Sequence, residues 1–485
     1  MTVTRTPPLY LVIDQGGHAS RALIFNQDRQ VISEKSVDIE TIRYNTDRVE
    51  HDPEALINSI VRAVEGAVSA LGDRVREIDS IGIATQRSSI VCWDKNTGAA
   101  LSPVISWQDR RTSDRIEKFL DHTDEVHALT GLVLSPHYGA TKLRWCLDHL
   151  ADVQQARKEN RLACGPVSSF ILFRLLDERP FVVDPANASR TLLWDYTTRM
   201  WAPGLLELFG VPEKLLPRCV PNRYDYGHME IASRSIPVRV VTGDQSAALF
   251  AFGTPRSDTT YINVGTGAFL QRMIGSKPLA APRLLSSVVW QSDNDISYVL
   301  EGTVNGAGSA LHQVSNELGL SGKDVHVELD QGLTAVENPP LFLNGVSGLG
   351  SPFWIADFPS RFVGEGNKTE KLVAVLESIV FLIRVNLDEM ATYLDAPRRI
   401  VITGGLAALV GLCQRLADLS GLSVERPEVQ EATARGLAYL LTNSSSVSQI
   451  ENVNCVVFKP VSNFALETLY KRWLEEMKNC GAAHL

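Results

Sequence analysis

The stretch VIDQGGHASR, residues 12–21, ends an apolar run on Asp14 and opens at once into Gly16 and Gly17. A carboxylate at the end of a buried strand is costly unless it is paired, hydrogen-bonded or facing a cation. A glycine turn beside it exposes backbone N–H groups that can hold phosphate oxygens. Asp14, Gly16 and Gly17 therefore suit a magnesium–phosphate corner. The same letters also suit a plain hairpin with a polar tip, and alone they do not separate the two.

The theme returns in the second half. YINVGTGAFLQRMI, from residue 261, is again strand, glycine loop and strand, and RRIVITGGLAAL, from residue 398, is strand, Gly-Gly and helix. Around the first loop, LYLVID (9–14), RALIF (21–25) and QVISEKSVDIE (30–40) read as an antiparallel meander. A helix is expected over 53–71, where Leu56, Ile60, Val64, Val68 and Leu71 recur at helical spacing behind Asp52 as N-cap. Strands at 78–85 and 89–94 follow, then a mixed helical region and an irregular, proline-rich stretch at 217–237. VRVVTGDQSAALF then reads as a strand, a Gly-Asp turn and a helix of small residues.

GTPRSDTT (253–260) reads as a surface connection and divides the chain into domains 1–250 and 251–485. Beyond it, TEKLVAVLESIVFLIRVNLDEMATYL is a long amphipathic helix, EATARGLAYLL a second helix and ETLYKRWLEEMKN a surface helix. Each half thus carries a glycine hairpin followed by alternating helices and strands, a duplicated α/β pattern with mixed sheets. Facing loops imply a nucleotide in the cleft and closure of the lobes around it.

The composition suits this reading. Of 485 residues, 44% are hydrophobic and 21% charged, as in ordinary soluble domains. A net charge of −9 without a long basic run argues against nucleic acid or an anionic membrane as partner. Neither a signal peptide nor a membrane-spanning apolar run is evident. The seven cysteines are scattered without a C-x-x-C pair, which fits free thiols in a reducing cytoplasm better than a zinc site or disulfides.

Several residues carry candidate chemistry, each with a plainer alternative. Asp244 in VTGDQSAALF leaves a strand just before a helix, where it could hold a substrate hydroxyl and take its proton, or only cap the helix. Gly265, Thr266 and Gly267 could bind the transferring phosphate, or form a tight hairpin. Gly404 and Gly405 could admit an adenine ring against bare backbone, or only turn the chain. Arg87 in TQRSS would ordinarily be a surface ion-pair partner, Trp107 a core residue and His18 a solvent-facing one. GLSGKD, near residue 320, lacks the glycine spacing and preceding strand of a P-loop.

The order of these pieces is more specific than any one of them. With VEHDPEAL, ATQRSS, ISWQDRRT, NASRTLLWD, GDQSAALF, GTGAF, SGLGSPFW and VERPEVQEATARGLAY, the chain resembles the FGGY carbohydrate kinases over nearly its whole length, and among them the glycerol kinase branch. The resemblance implies two ribonuclease-H-like (actin-like ATPase) domains, with MgATP and a polyol or small sugar in the cleft between them. It implies transfer of the ATP γ-phosphate to a substrate hydroxyl, with Asp244 as catalytic base. Asp14 falls near the Mg2+; Gly16, Gly17, His18 and Arg21 fall on the first phosphate loop. Gly265, Thr266 and Gly267 fall on the second phosphate loop, and Gly404 and Gly405 on the adenine side. Arg87, Ser88, Trp107, His137, Asp244, Gln245 and Phe269 match the substrate pocket. A cytoplasmic enzyme, as a homo-oligomer such as a dimer, fits the same resemblance.

Departures from the family pattern bear on substrate and activity. Gly17 and His18 stand where hydroxyl residues are usual, and Leu409 and Val410 where an asparagine is common near adenine. Ser88 replaces a pocket glutamate, His137 a tyrosine, and the regulatory loop near 230–236 is short. A lost hydrogen bond to a charged group is worth roughly 1.5–3 kcal/mol, or about 10- to 150-fold in binding. Glycerol should then be held poorly and another polyol or small sugar preferred. The alternative is a degenerate family member with little kinase activity that binds ligands or proteins.

Overall fold

The computed structural model describes residues 7–45, 47–293, 295–320, 322–336, 338–428, 431–442 and 454–482. Its first half is built on a six-stranded sheet in the order His228–Ile231, Arg234–Gly243, Ile78–Thr85, Leu9–Gln15, Ala19–Phe25, Val31–Asp38. The meander from Leu9 to Asp38 is antiparallel as expected. Ile78–Thr85 then adds in parallel beside Leu9–Gln15, and Arg234–Gly243 in parallel beside Ile78–Thr85.

The second half repeats the arrangement in a seven-stranded sheet, ordered Leu285–Gln291, Ile296–Val304, Ala268–Gly275, Thr259–Val264, Arg399–Thr403, Ser423–Pro427, Cys455–Phe458. Its hairpin Thr259–Val264 and Ala268–Gly275 is antiparallel, and Arg399–Thr403 runs parallel to Thr259–Val264. The two sheets therefore share one inner strand order, an antiparallel hairpin extended by parallel strands. Two ribonuclease-H-like units with mixed sheets are the result.

Local sequence accounts for most boundaries. Asp52 caps the helix Pro53–Ser69 by accepting from the Ala55 N–H, with Pro53 pre-set at the first helical position. The helix buries Leu56, Ile60, Ala63, Val64 and Ala67. Asn367 and Glu370 form a reciprocal capping box at the start of the helix Lys368–Ala391. The short loop near 230–236 is a two-residue turn, Ala232 and Ser233, both at positive φ as a primed hairpin turn demands.

Three expectations need correction. The stretch at 217–237 is not simply irregular, because His228–Ile231 and the start of Arg234–Gly243 form a paired edge hairpin. The region after residue 94 is not only helical. It completes a five-stranded sheet of Ile42–Arg43, Val49–His51, Val104–Ile105, Ile90–Asp94 and Leu162–Pro166. The helix Phe464–Asn479 is not confined to the surface, since Leu466, Leu469, Trp473 and Met477 are buried in the second core. Charged residues between these apolar positions disguised an amphipathic helix as an exposed one.

The helix Ala432–Thr442 belongs to the second half by sequence but packs on the first sheet. Leu437 and Leu441 fill the space beside Gly82, and the core there joins Val12, Ala84 and Val240 to Ala434, Leu437 and Ala438. Gly436 meets the helix Asp244–Ala248 so closely that a Cβ would lie 1.8 Å from the Ala247 carbonyl oxygen. The obstacle is backbone, so it cannot swing aside. Gly436→Ala is therefore expected to destabilise the protein by about 1–3 kcal/mol, read as a lower thermal midpoint; an unchanged midpoint would contradict this packing.

Candidate active site

The parallel registers bring the candidate residues to one sheet edge. Asp14 and Thr242 both pair with Ala84, and Gln15 and Gly243 both pair with Thr85. The next residues along the three strands are therefore Gly16, Gln86 and Asp244, leaving the carboxyl ends side by side. Ligands of open α/β sheets bind at such ends.

Asp14 is buried, and burial followed by the nearby Asp244 pushes its carboxyl up to about 7, with Arg21 pulling the other way. The hairpin it opens is closed by the Gly16 N–H donating to the Ala19 carbonyl at 3.0 Å. Gly17 faces Trp107, whose Nε1 would lie 3.8 Å from a Cβ at that glycine. His18 is exposed. Arg21 sits opposite Asp14 in the hairpin, but its guanidinium is engaged by Glu431 from the second half.

Asp244 is the first residue of the helix Asp244–Ala248, preceded by Gly243 at the N-cap position, so it is not itself the cap. Its Oδ1 accepts from the Gln245 N–H at 2.7 Å and lies 4.0 Å from Arg87 Nε. Burial raises its pKa, and Arg87 and the Gln245 amide pull it back. The result is a carboxylate with an accessible edge and a tempered charge.

Arg87 is buried rather than at the surface. It donates to Gln245 Oε1 and lies 3.6 Å from Glu301 Oε2, a carboxylate wholly buried in the second half. Arg190 reaches the other Glu301 oxygen at 3.3 Å and donates to Ser287 Oγ at 2.8 Å. Burial works against the Glu301 charge, but Arg190 and Arg87 outweigh it and hold the carboxyl below its ordinary range. Ser88 follows at φ 64, buried, and its Oγ has no partner among the described residues.

Trp107 and His137 form a ring pair with centroids 5.5 Å apart. Burial, then the cations Lys142, Arg190 and Arg87, hold His137 well below the histidine range, so the ring is neutral at pH 7. Phe269 faces a cavity of about 240 Å³ between the halves, which Asp244, Gln245, Tyr261 and Gln271 also line. The Gln271 Nε2 is buried without a partner among the described residues.

The second glycine loop is anchored by its carbonyls. Gly265 O accepts from Gly308 N and Thr266 O from Ala307 N, each at 3.0 Å. Gly267 must stay bare, because a Cβ would lie 2.7 Å from Val304 O, while the Thr266 side chain is exposed. Gly404 takes φ 94 with Val264 O 2.5 Å from any Cβ, whereas a Cβ on Gly405 would meet nothing within 4 Å. A bare, open strip of backbone thus lies beside the second loop, as a flat ring would require.

The structure therefore joins Asp14, Asp244, Arg87, Gln245 and Phe269 across the cleft, and joins Gly17 to Trp107 and Trp107 to His137. Sequence reasoning missed Glu301, Arg190 and Lys142. Glu301 is one acid within the largely apolar YVLEGTV strand, and Lys142 is the one charged side chain among the buried residues of its helix. Both signals were present, because a lone charge on a core face needs a partner.

Two lobes with one strand order and facing glycine hairpins define an actin-like two-domain architecture. Models of the FGGY family of carbohydrate kinases match residues 9–251 with the N-terminal domain and 260–444 with the C-terminal domain. The glycerol kinase of Halothermothrix orenii is 33% identical over 481 residues, covering 96% of each chain. That of Methylobacterium nodulans is 34% identical over 448 residues, covering 89% of this chain and 88% of its own. Among solved structures, Plasmodium falciparum glycerol kinase with ADP superposes with a TM-score of 0.87 at 21% identity over 98% of both chains. Gluconate kinase of Lactobacillus acidophilus follows at 0.84 and 19%, over 99% of both. The chain belongs to the FGGY family and is a carbohydrate kinase.

Glu301 pairs with two buried arginines, which makes its charge a condition of the site. Glu301→Gln is expected to cost about 3–5 kcal/mol, as when one partner of a buried pair is removed. Thermal unfolding checks it, and a midpoint equal to wild type would contradict the assignment.

Proposed function

We propose that this protein is an ATP-dependent kinase that transfers the γ-phosphate to a hydroxyl of a polyol or small sugar, with Asp244 as base. The observation that carries the reading is the strand register that aligns Asp14, Gln86–Arg87 and Asp244 at one edge. In this reading residues 1–250 supply the substrate pocket and first phosphate loop, and 251–485 the second loop and adenine strip.

Asp14 fits a divalent cation. Its carboxyl is driven up by burial and by Asp244, a repulsion that a cation between them would relieve. Magnesium, when bound, would neutralise charge on the β- and γ-phosphate oxygens. The Gly16 and Gly265 amides close their own loops on the Ala19 and Gly267 carbonyls, which leaves the Gly17 and Gly267 backbone and the exposed Thr266 hydroxyl to face phosphate oxygens. Gly404 and Gly405 suit an adenine face.

On the acceptor side, Asp244 would orient the hydroxyl and take its proton late, as a loose transition state allows. The acceptor oxygen gains the bond to phosphorus, the bond from phosphorus to the bridging oxygen breaks, and ADP leaves. Arg87 and Gln245 would hold neighbouring hydroxyls, with Trp107, His137 and Phe269 as walls. Ser88 supplies a small hydroxyl, not a carboxylate, and the neutral His137 cannot replace the missing charge. This favours an acceptor other than glycerol.

A second reading, a degenerate family member with weak or no activity, draws on the Arg21–Glu431 pair and on His18. Both thin the side-chain donors of the first phosphate loop. Release of ADP from MgATP across glycerol, tetritols, pentitols and ketoses separates the two. We expect turnover on one tetritol, pentitol or ketose, with glycerol bound about 10-fold or more weakly. A low-micromolar KM for glycerol would refute the substrate reading, and no turnover on any compound would refute the kinase reading.

A further inference from the structure

Lys142, in the helix Gly139–His149, is wholly buried and sits behind the pocket rather than in it. Its Nζ donates to the carbonyls of His137 at 2.7 Å and Ser106 at 2.8 Å, and lies 3.5 Å from that of Ser88. An ammonium has three protons and no acceptor, so the three carbonyls match its capacity. The carbonyls come from separate segments. Ser88 follows Arg87 at φ 64, Ser106 precedes Trp107, and His137 is itself a pocket wall.

We propose that Lys142 is a positioning residue that ties three pocket segments to one point and thereby sets the spacing of Arg87, Trp107 and His137. The inference rests on the pocket assignment made above. A point charge on a flexible stem is suited to the task, since it reaches carbonyls in three directions. Without it, the carbonyls of Ser88, Ser106 and His137 lose a donor and the segments are held by neighbouring contacts alone.

The charge of this clamp is itself sensitive. Burial lowers Lys142 to about 7, with Asp109 opposing and Arg111 and Arg110 adding to the fall. His137, which faces it, is held neutral. A neutral amine keeps only two protons to donate, so one carbonyl is released as pH rises through that value.

Hydrogen–deuterium exchange compares Lys142→Met with wild type without any acceptor present. The expected result is faster exchange confined to residues 86–89, 106–112 and 133–138. No change there, or a uniform rise over the whole chain, overturns the proposal. In steady-state kinetics with the compound that is phosphorylated fastest, the variant should raise acceptor KM by about 10-fold or more. The ATP KM should stay within about twofold, because that site uses other residues.

Arg87→Ala serves as the reference. If it leaves acceptor KM unchanged, the pocket assignment fails whatever Lys142 does. If it raises KM while Lys142→Met does not, the positioning role fails. Should Lys142→Met not fold, the wild-type profile decides: acceptor KM should rise between about pH 6 and 8. A flat acceptor KM overturns the proposal.

Discussion

Glu301 holds a full charge in the core, and the cleft is arranged around the two arginines that make this tolerable. It lies on a strand of the second sheet, while Arg87 and Arg190 belong to the first half, so the pairing crosses between lobes. Arg87 in turn contacts Gln245 and approaches Asp244. A charge that must be neutralised in the core therefore also orients the residues at the mouth of the cleft. Ion pairs of this kind contribute little net stability but penalise any arrangement that separates them.

The same economy recurs at Asp14. Three parallel strands end in register, which delivers two carboxylates to one edge, and neither can be fully charged there without a cation or a donor. Asp244 receives a backbone amide and Arg87, whereas Asp14 faces Asp244 and Glu431 with Arg21 already engaged. The asymmetry is consistent with the proposed roles, Asp244 toward an acceptor hydroxyl and Asp14 toward a cation. The helix Ala432–Thr442, donated by the second half, locks behind Asp244 through the Gly436 contact. The element that carries Asp244 is thereby packed against a helix contributed by the second half.

Much of this was legible in the chain. The glycine hairpins, the capped helix after Asp52 and the paired Asp-Gln-Gly-Gly and Gly-Thr-Gly motifs are local signals, governed by a few neighbouring residues. What escaped was non-local. Glu301 and Lys142 are buried charges, and although His137 is near Lys142 in sequence, other partners lie far off, Arg190 for Glu301 and Ser106 and Ser88 for Lys142. The helix Phe464–Asn479 misled because its buried Trp473 and Met477 alternate with charged residues. The five-stranded sheet escaped because three of its strands hold only two or three residues, too short for alternation to register.

The central claim is that Asp244 acts on the acceptor while the nucleotide is held by other groups. Asp244→Asn keeps the shape and removes the base, so its turnover and its ATP affinity, the latter by titration calorimetry, separate the two functions. The account expects kcat to fall by about 100-fold or more with the ATP dissociation constant essentially unchanged. Turnover near that of wild type, or loss of ATP binding together with turnover, would contradict it.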